Sequence, residues 1–219
     1  MSETLEILSK EEFEELKDAK HNYPFENLVF NGGGAKCIGG IGTLKVFHEL
    51  GILPKIKRFA GTSGGALTAA FAAIGYSPQK IEEKLGNADL NALVKGTGSL
   101  WKKVTHVFWS AWNILANYGV YNANDLEQWL REEIGNLTFE ELYNRNQAHI
   151  ELAITVTDLA RKDYRFYHVK TTPTTPIVEA LRMSMSIPGI FTPVKVDDDD
   201  FGCFVDGGLL RNYPLMSYD

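Results

Sequence analysis

The chain has 219 residues, of which 44% are hydrophobic and 23% are charged, as in an ordinary globular domain. Its formal net charge of −6 argues against a general affinity for nucleic acid or anionic lipid. The two cysteines, Cys37 and Cys203, form no disulfide or metal pattern, which favours a reducing compartment such as the cytoplasm. The sequence shows no signal peptide and no apolar run long enough to span a bilayer, so any membrane contact is expected to be peripheral.

Apolar strands alternate with amphipathic helices along the chain, and a capping box, in which a Ser, Thr or Asn precedes a Glu by three residues, starts several helices. The first predicted elements are a helix from Ser9 to about Lys20, strand Leu28–Phe30, a helical stripe from Ile41 to Leu50 stopped by Gly51, strand Ile56–Ala60 and helix Ala66–Ile74. A helix starting at Pro78, helical spacing from Leu100 to Leu115 and helices capped at Asn124 and Thr138 follow. The last predicted elements are a strand pair Ile150–Val156 and Tyr164–Val169, helix Pro176–Met185, and a hairpin of Val194–Val196 with Phe204–Val205. This alternation predicts an α/β sandwich around a largely parallel sheet, with residues 1–24 as a helical appendage and 25–219 as the main domain.

The segment Gly61-Thr62-Ser63-Gly64-Gly65 reads G-x-S-x-G between a predicted strand and a predicted helix. That context is typical of a nucleophile elbow, a tight turn that exposes a serine at the start of a helix. Glycines on either side of the serine avoid the collisions that side chains would make in such a turn. An ordinary Gly/Ser turn is the alternative, because isolated matches to this motif are common by chance.

A second glycine-rich turn, Gly32-Gly33-Gly34, also follows a strand and opens a helix. Backbone N–H groups at such a turn, joined by that of Gly64, can donate to the oxyanion of a tetrahedral intermediate. A nucleotide phosphate is the competing ligand, but the residues around Lys36 match neither the P-loop nor the dinucleotide fingerprint.

A serine nucleophile needs a base to take its proton. None of the five histidines lies in a late loop at a strand end, where a serine hydrolase triad would place its histidine. Asp206 follows the apolar pair Phe204-Val205 and precedes Gly207-Gly208, so the sequence predicts a carboxylate at a strand end with room around it. An ordinary Asp-Gly turn is the alternative here.

These three motifs, in this order, resemble the patatin-like phospholipases. The resemblance covers about Leu28 to Leu215 and includes Ser184-Met185-Ser186-Ile187-Pro188 and, after Asp206, Asn212 and Pro214. It implies a three-layer α/β/α sandwich and a catalytic dyad in which Ser63 is the nucleophile and Asp206 is the base. It also implies an oxyanion hole at Gly32–Gly34, acyl esters of phospholipids or neutral glycerolipids as substrates, and a mechanism that needs no metal or other cofactor.

The resemblance leaves several points open. Cys37 stands where the family usually has glycine, and the chain stops soon after Asp206, so it is either a minimal catalytic domain or a piece of a longer protein. Lys36 is a candidate for binding a lipid phosphate, with a solvated lysine as the alternative. The tryptophan-rich run of residues 101–112 is expected either to contact lipid or to form part of the hydrophobic core. The acidic run of residues 197–200 is expected to be a solvated hairpin tip. A silent lipid-binding module, an acyltransferase and a neutral-lipid lipase remain alternative functions, and a homo-oligomer is left open.

Overall fold

The computed structural model of the protein describes residues 9–18, 23–34, 38–87, 123–145, 147–196 and 202–218. Within these ranges the helices are α1 Lys10–Asp18, α2 Ile38–Glu49, α3 Gly64–Ala73, α4 Pro78–Asn87, α5 Asn124–Ile134, α6 Phe139–Asn144 and α7 Ile177–Ser184. The strands are β1 Asn27–Phe30, β2 Arg58–Thr62, β3 Glu151–Asp158, β4 Asp163–Tyr167, β5 Val194–Val196 and β6 Gly202–Asp206. Short 3-10 helices lie at Leu53–Lys55, Gly207–Leu209 and Leu215–Tyr218.

Two strands meet end to end in the sheet. β1, β2 and β3 are parallel neighbours, and the last residue of β2, Thr62, pairs with Thr155. β4 runs antiparallel to residues 154–158 of β3. β6 also pairs antiparallel with residues 156–158, so β4 and β6 lie on opposite edges of β3. β2 and β4 both pair with residues 154–155, so β2 lies on the same edge of β3 as β6. The carboxyl ends of β2 and β6 therefore converge beside Thr155, and β5 completes a hairpin with β6.

Both faces of the central strand are covered. Alternate side chains of a strand point to opposite faces, yet residues 152–158 of β3 are all buried. The helix α3 packs closely on the sheet because its sequence is rich in alanine and glycine, and only Ala72 of its ten residues is not buried. Phe71 of this helix is fully buried and packs against the rings of Tyr76 and Trp129. This α/β architecture around a central parallel core confirms the fold class.

Most predicted elements are confirmed, with ends shifted by one to three residues. The capping boxes at Ser9 and Thr138 form as expected, with reciprocal hydrogen bonds to Glu12 and Glu141. The predicted cap at Asn124 is wrong: Asn124 is already helical, and the N-cap is Ala123, which adopts a left-handed conformation and makes no side-chain cap bond. The predicted helical spacing of residues 100–115 lies outside the described residues. No described helix combines the length and the apolar character needed to cross a membrane.

Candidate active site

Ser63 occupies the turn between β2 and α3, as the elbow motif predicts. It is the N-cap of α3 and adopts φ 54° and ψ −129°, a conformation that is costly for a residue with a side chain. The residue is only 6% exposed. The first N–H groups of a helix have no partner within the helix, so the start of α3 offers donors beside Ser63.

The glycines that flank the elbow are required by close packing. A Cβ atom on Gly61 would lie 2.5 Å from the carbonyl oxygen of Gly65 and 2.6 Å from the backbone of Ala66. A Cβ atom on Gly65 would collide with the carbonyl groups of Phe30 and Asn31, at the end of β1. These contacts bring the first turn of α3 directly against the ends of β1 and β2, which no larger residue would permit.

Asp206 lies at the end of β6 and meets the serine. The hydroxyl Oγ of Ser63 donates to Oδ2 of Asp206 at 2.6 Å, and the N–H of Gly208 donates to Oδ1 at 2.7 Å. The N–H of Asp206 is held by the carbonyl of Ser186 at 2.9 Å. Burial raises the pKa of the Asp206 carboxyl above its ordinary value, and the hydrogen bonds from Ser63 and Gly208 only partly oppose this effect. The arrangement is a buried carboxyl group that accepts a hydrogen bond from a serine hydroxyl.

The glycine loop after β1 lies against the elbow. A Cβ atom on Gly32 would be 3.4 Å from that of Ser63, and it would collide with the side-chain oxygen of Asn212. The N–H of Gly32 donates to the carbonyl of Asn212 at 3.0 Å, and Nδ2 of Asn212 donates back to the carbonyl of Gly32 at 3.3 Å. The N–H and the carbonyl of Gly32 are therefore both hydrogen-bonded to Asn212. Gly34 follows with φ 52°, a left-handed conformation that favours glycine.

Ser184 is a polar residue at the site to which the sequence analysis gave no role. This residue ends α7 and is fully buried. Its Oγ accepts from the N–H of Ser63 at 2.9 Å and donates to the carbonyl of Thr155 at 2.7 Å. The only sequence signal was its place in the stretch Ser184-Met185-Ser186 before a proline, which carried the resemblance but no chemistry.

Of the other residues considered in the sequence, some lie outside the described ranges, and the described histidines have other surroundings. Lys36 and Cys37 lie outside the described residues, as do the tryptophan-rich and acidic runs. His168 contacts Glu151 at the start of β3, with 2.9 Å between Nε2 and Oε2, and burial lowers the pKa of its imidazole. His48 lies on α2 and is exposed, as is His149. No histidine in the described ranges is hydrogen-bonded to Ser63.

A separate cleft of about 630 Å³ is lined by α5, α7 and β5. Its charged lining groups largely pair with one another, as in the ion pair of 2.8 Å between Arg131 and Glu127. Neither Ser63 nor Asp206 lines this cleft. We place the candidate site at the dyad, because hydrogen-bonded reactive groups define a reaction centre better than the size of a cleft does.

Comparison of the sequence with protein families and with curated proteins gives several matches. A family model described as patatin-like phospholipase matches residues 28–218. Protein R571 of Acanthamoeba polyphaga mimivirus is 32% identical over 195 residues, which cover 89% of this chain and 61% of that protein. A probable lipid hydrolase, 463L of Invertebrate iridescent virus 6, is 27% identical over 87% of this chain and 62% of its own length. The chain thus spans somewhat more than three fifths of these relatives.

A comparison with solved structures supports the fold. The crystal structure of VipD from Legionella pneumophila matches 86% of this chain and 47% of its own, with a TM-score of 0.62 and 20% sequence identity. At that level of identity the likeness concerns the arrangement of helices and strands alone.

Proposed function

This chain belongs to the patatin-like phospholipase family, and from that premise we propose that it is a serine-dependent lipid acyl hydrolase of the phospholipase A type. The family match confirms the resemblance found in the sequence, and relatives include a protein named as a probable lipid hydrolase. In the proposed reaction, an ester-linked fatty acid is cleaved from a glycerophospholipid through an acyl-serine intermediate. Ser63 is the nucleophile and Asp206 is the general base.

The observation that carries the proposal is the 2.6 Å hydrogen bond from Ser63 Oγ to Asp206 Oδ2. As Oγ attacks the ester carbonyl, its proton passes to the carboxylate, which is already within transfer distance. The protonated Asp206 then gives that proton to the departing alkoxide, and the lysolipid leaves. Water repeats the two proton transfers and releases the fatty acid, so that Ser63 and Asp206 return to their starting states.

The raised pKa of Asp206 suits this cycle. A carboxylate that is destabilised by burial is a stronger base than one in water, and its conjugate acid is still acidic enough to protonate an alkoxide. Two accepted hydrogen bonds oppose that rise in pKa and favour the ionised form of Asp206, which is the form that can act as the base.

We propose that the oxyanion is stabilised by N–H groups of Gly33, Gly34 and Gly64. The sequence alone suggested Gly32 as well, but its N–H donates to Asn212, so its proposed role is to hold the loop against the elbow. Each well-placed donor contributes about 3–4 kcal/mol of transition-state stabilisation in comparable enzymes. Lys36 remains a proposed ligand for the lipid phosphate.

A lipid surface is the proposed partner, with the main domain at residues 25–219 in contact with it and residues 1–24 as an appendage. Leu209 and Leu210 support this proposal, because they follow the dyad closely in sequence and are 54% and 50% exposed. Large apolar side chains next to a reaction centre are suited to contact with acyl chains. The contact would be peripheral, with the protein otherwise in the cytoplasm.

The test uses phosphatidylcholine liposomes, a triacylglycerol emulsion and a lysolipid acceptor, each in the presence of a chelator, with products identified by mass spectrometry. We expect fatty acid release from the liposomes, and none with the variant Ser63→Ala. The matched control is Ser77→Ala, which removes an exposed serine hydroxyl that accepts from Lys80 N–H outside the site. Full turnover by Ser63→Ala would refute the proposal. Lipid binding without turnover would instead identify a silent binding module, and transfer to the lysolipid would identify an acyltransferase.

A further inference from the structure

The buried hydroxyl of Ser184 joins the elbow to the sheet. Thr62 is the last residue of β2 that pairs with β3, and its partner is Thr155. The next N–H along the chain is that of Ser63, and it donates to Ser184 Oγ at 2.9 Å, while Ser184 Oγ donates to the carbonyl of Thr155 at 2.7 Å. The hydroxyl thus bridges two backbone groups at the point where the ladder between β2 and β3 ends.

The direction of this bridge is fixed. A hydroxyl has one proton, and here the proton is directed to a carbonyl, which can only accept. The lone pairs of Ser184 Oγ must then face the N–H of Ser63, which can only donate. Ser63 is 6% exposed and Ser184 is fully buried, so water has little access to replace the bridge.

The same carbonyl also locates the second member of the dyad. A Cβ atom on Gly207 would collide with the carbonyl of Thr155, which shows that the backbone after Asp206 lies directly against that group. The nucleophile and the carboxylate are therefore both located relative to Thr155, one through a hydroxyl bridge and the other through backbone contact. The strained φ of 54° at Ser63 adds a reason for such a restraint, because the turn would relax if nothing held it.

We infer that Ser184 is a positioning residue for the dyad: it holds the backbone of Ser63 so that its Oγ meets Asp206. This inference rests on the proposed function, since the effect is measured through the reactivity of Ser63. Ser184 does not touch the reacting atoms, and it acts only through the N–H of Ser63. Small misplacements of a nucleophile are costly, so loss of the bridge should slow acylation far more than it weakens substrate binding.

The experiment measures the rate at which a fluorophosphonate labels Ser63, together with kcat and KM for a short-chain p-nitrophenyl ester. Three variants of the full chain are compared: Ser184→Ala removes the bridge, Ser184→Thr keeps a hydroxyl, and Thr157→Val is the control. Thr157 is buried on β3, and its hydroxyl has no hydrogen-bond partner among the described residues, so valine removes a buried hydroxyl that does not hold the elbow. The final labelled fraction counts competent molecules, so rates can be corrected for misfolded protein.

For Ser184→Ala we expect the labelling rate and kcat per competent molecule to fall about 10-fold to 100-fold, with KM changed less than about threefold. Ser184→Thr should recover most of the rate, and Thr157→Val should keep it even if its melting temperature changes. Equal rates for Ser184→Ala and Thr157→Val, after correction, would show that Ser184 only stabilises the fold and would overturn the inference. Absence of labelling at Ser63 in the unmodified chain would overturn the proposed function as well, so the two failures are distinguishable.

Discussion

Replacement of Asp206 by asparagine separates its role in catalysis from its role in stability. The carboxylate accepts two hydrogen bonds, one from Ser63 at Oδ2 and one from Gly208 at Oδ1. An asparagine of the same shape can still accept from Gly208 through its single oxygen. Its amide nitrogen then faces Ser63 and can only donate, so Ser63 keeps its proton and loses its base.

The expected loss of activity follows from the role of a general base. Proton transfer by a positioned side chain typically contributes about 10²-fold to 10⁴-fold to the rate. We therefore expect kcat of Asp206→Asn to fall by at least about 10²-fold in an assay with a soluble ester. The hydrogen-bonded geometry should survive, because the number of hydrogen bonds at the site is unchanged.

The free energy of unfolding of Asp206→Asn, unlike its activity, should not fall. An ionic hydrogen bond contributes about 1.5–3 kcal/mol and a neutral one about 0.5–1.5 kcal/mol, so the exchange alone removes about 1 kcal/mol for each of the two bonds. The raised pKa of Asp206 shows that burial of its charge outweighs the bonds it accepts, and asparagine carries no charge to bury. At pH 7 the free energy of unfolding of Asp206→Asn should therefore equal or exceed that of the unmodified chain, as measured by urea denaturation.

The matched control is Asp158→Asn, another buried aspartate at the end of a strand. Its Oδ2 forms an ion pair with Arg165 at 3.1 Å, and asparagine would lose the buried negative charge of that pair and lower the free energy of unfolding. This variant should be less stable but active per folded molecule. The reasoning would be refuted if Asp206→Asn kept more than about a tenth of the activity, or if it lost as much stability as Asp158→Asn.

The remaining predictions concern pH, packing and the glycine loop. Because the base must be ionised and burial raises the pKa of Asp206, kcat/KM should fall as pH drops through a value above the ordinary 3.8, and this acid limb should be absent from the residual activity of Asp206→Asn. Because folding raises the pKa of Asp206, the unmodified chain should lose free energy of unfolding relative to Asp206→Asn as pH rises through that raised pKa. Paired urea titrations between pH 3 and pH 7 would measure this loss. Gly61→Ala should lower the melting temperature sharply, since its Cβ would meet backbone at 2.5 Å, whereas Gly42→Ala, in a helix with open space around it, should raise stability by up to about 1 kcal/mol. Asn212→Ala removes the side-chain bond to the carbonyl of Gly32 and should lower kcat with little change in KM, and an unchanged kcat would show that the backbone bond alone holds the loop.

The elements that could be predicted are those whose signals are local. The elbow is one contiguous strand, turn and helix, and the requirement for glycine at Gly61 and Gly65 is visible in the spacing itself. The capping box at Thr138 forms because both of its partners lie within one helical turn. The prediction at Asn124 failed because Asn124 already lies in the helix, and the N-cap is Ala123, a buried residue in a left-handed conformation that no local signal in the sequence indicates.

The parts that could not be predicted depend on contacts between distant segments. Gly32 reads as a free donor in the sequence, yet its N–H is taken by Asn212, far along the chain. Ser184 reads as an unremarkable serine at a helix end, because the two groups that its hydroxyl joins lie far from it in the chain, one in the turn after β2 and the other in β3. Hydrogen-bond partners of single polar atoms are set by tertiary structure, which periodicity and motif spacing do not encode.

The sheet topology explains how two residues far apart in the chain meet at hydrogen-bond distance. In a purely parallel sheet, the carboxyl ends of neighbouring strands lie side by side, about 4.8 Å apart, and their loops leave in the same direction. Here β2 and β6 run toward each other along the same edge of β3, so the residue after Thr62 and the last residue of β6 face each other across the short gap at Thr155. A serine at one strand end and an aspartate at the other are then brought together by backbone pairing, before any contact between their side chains. The hydrogen bond between them is thus a consequence of the register of β3 with both strands. We therefore expect a residue inserted into β6 to separate Ser63 from Asp206 and abolish labelling of Ser63, even in a chain that remains folded.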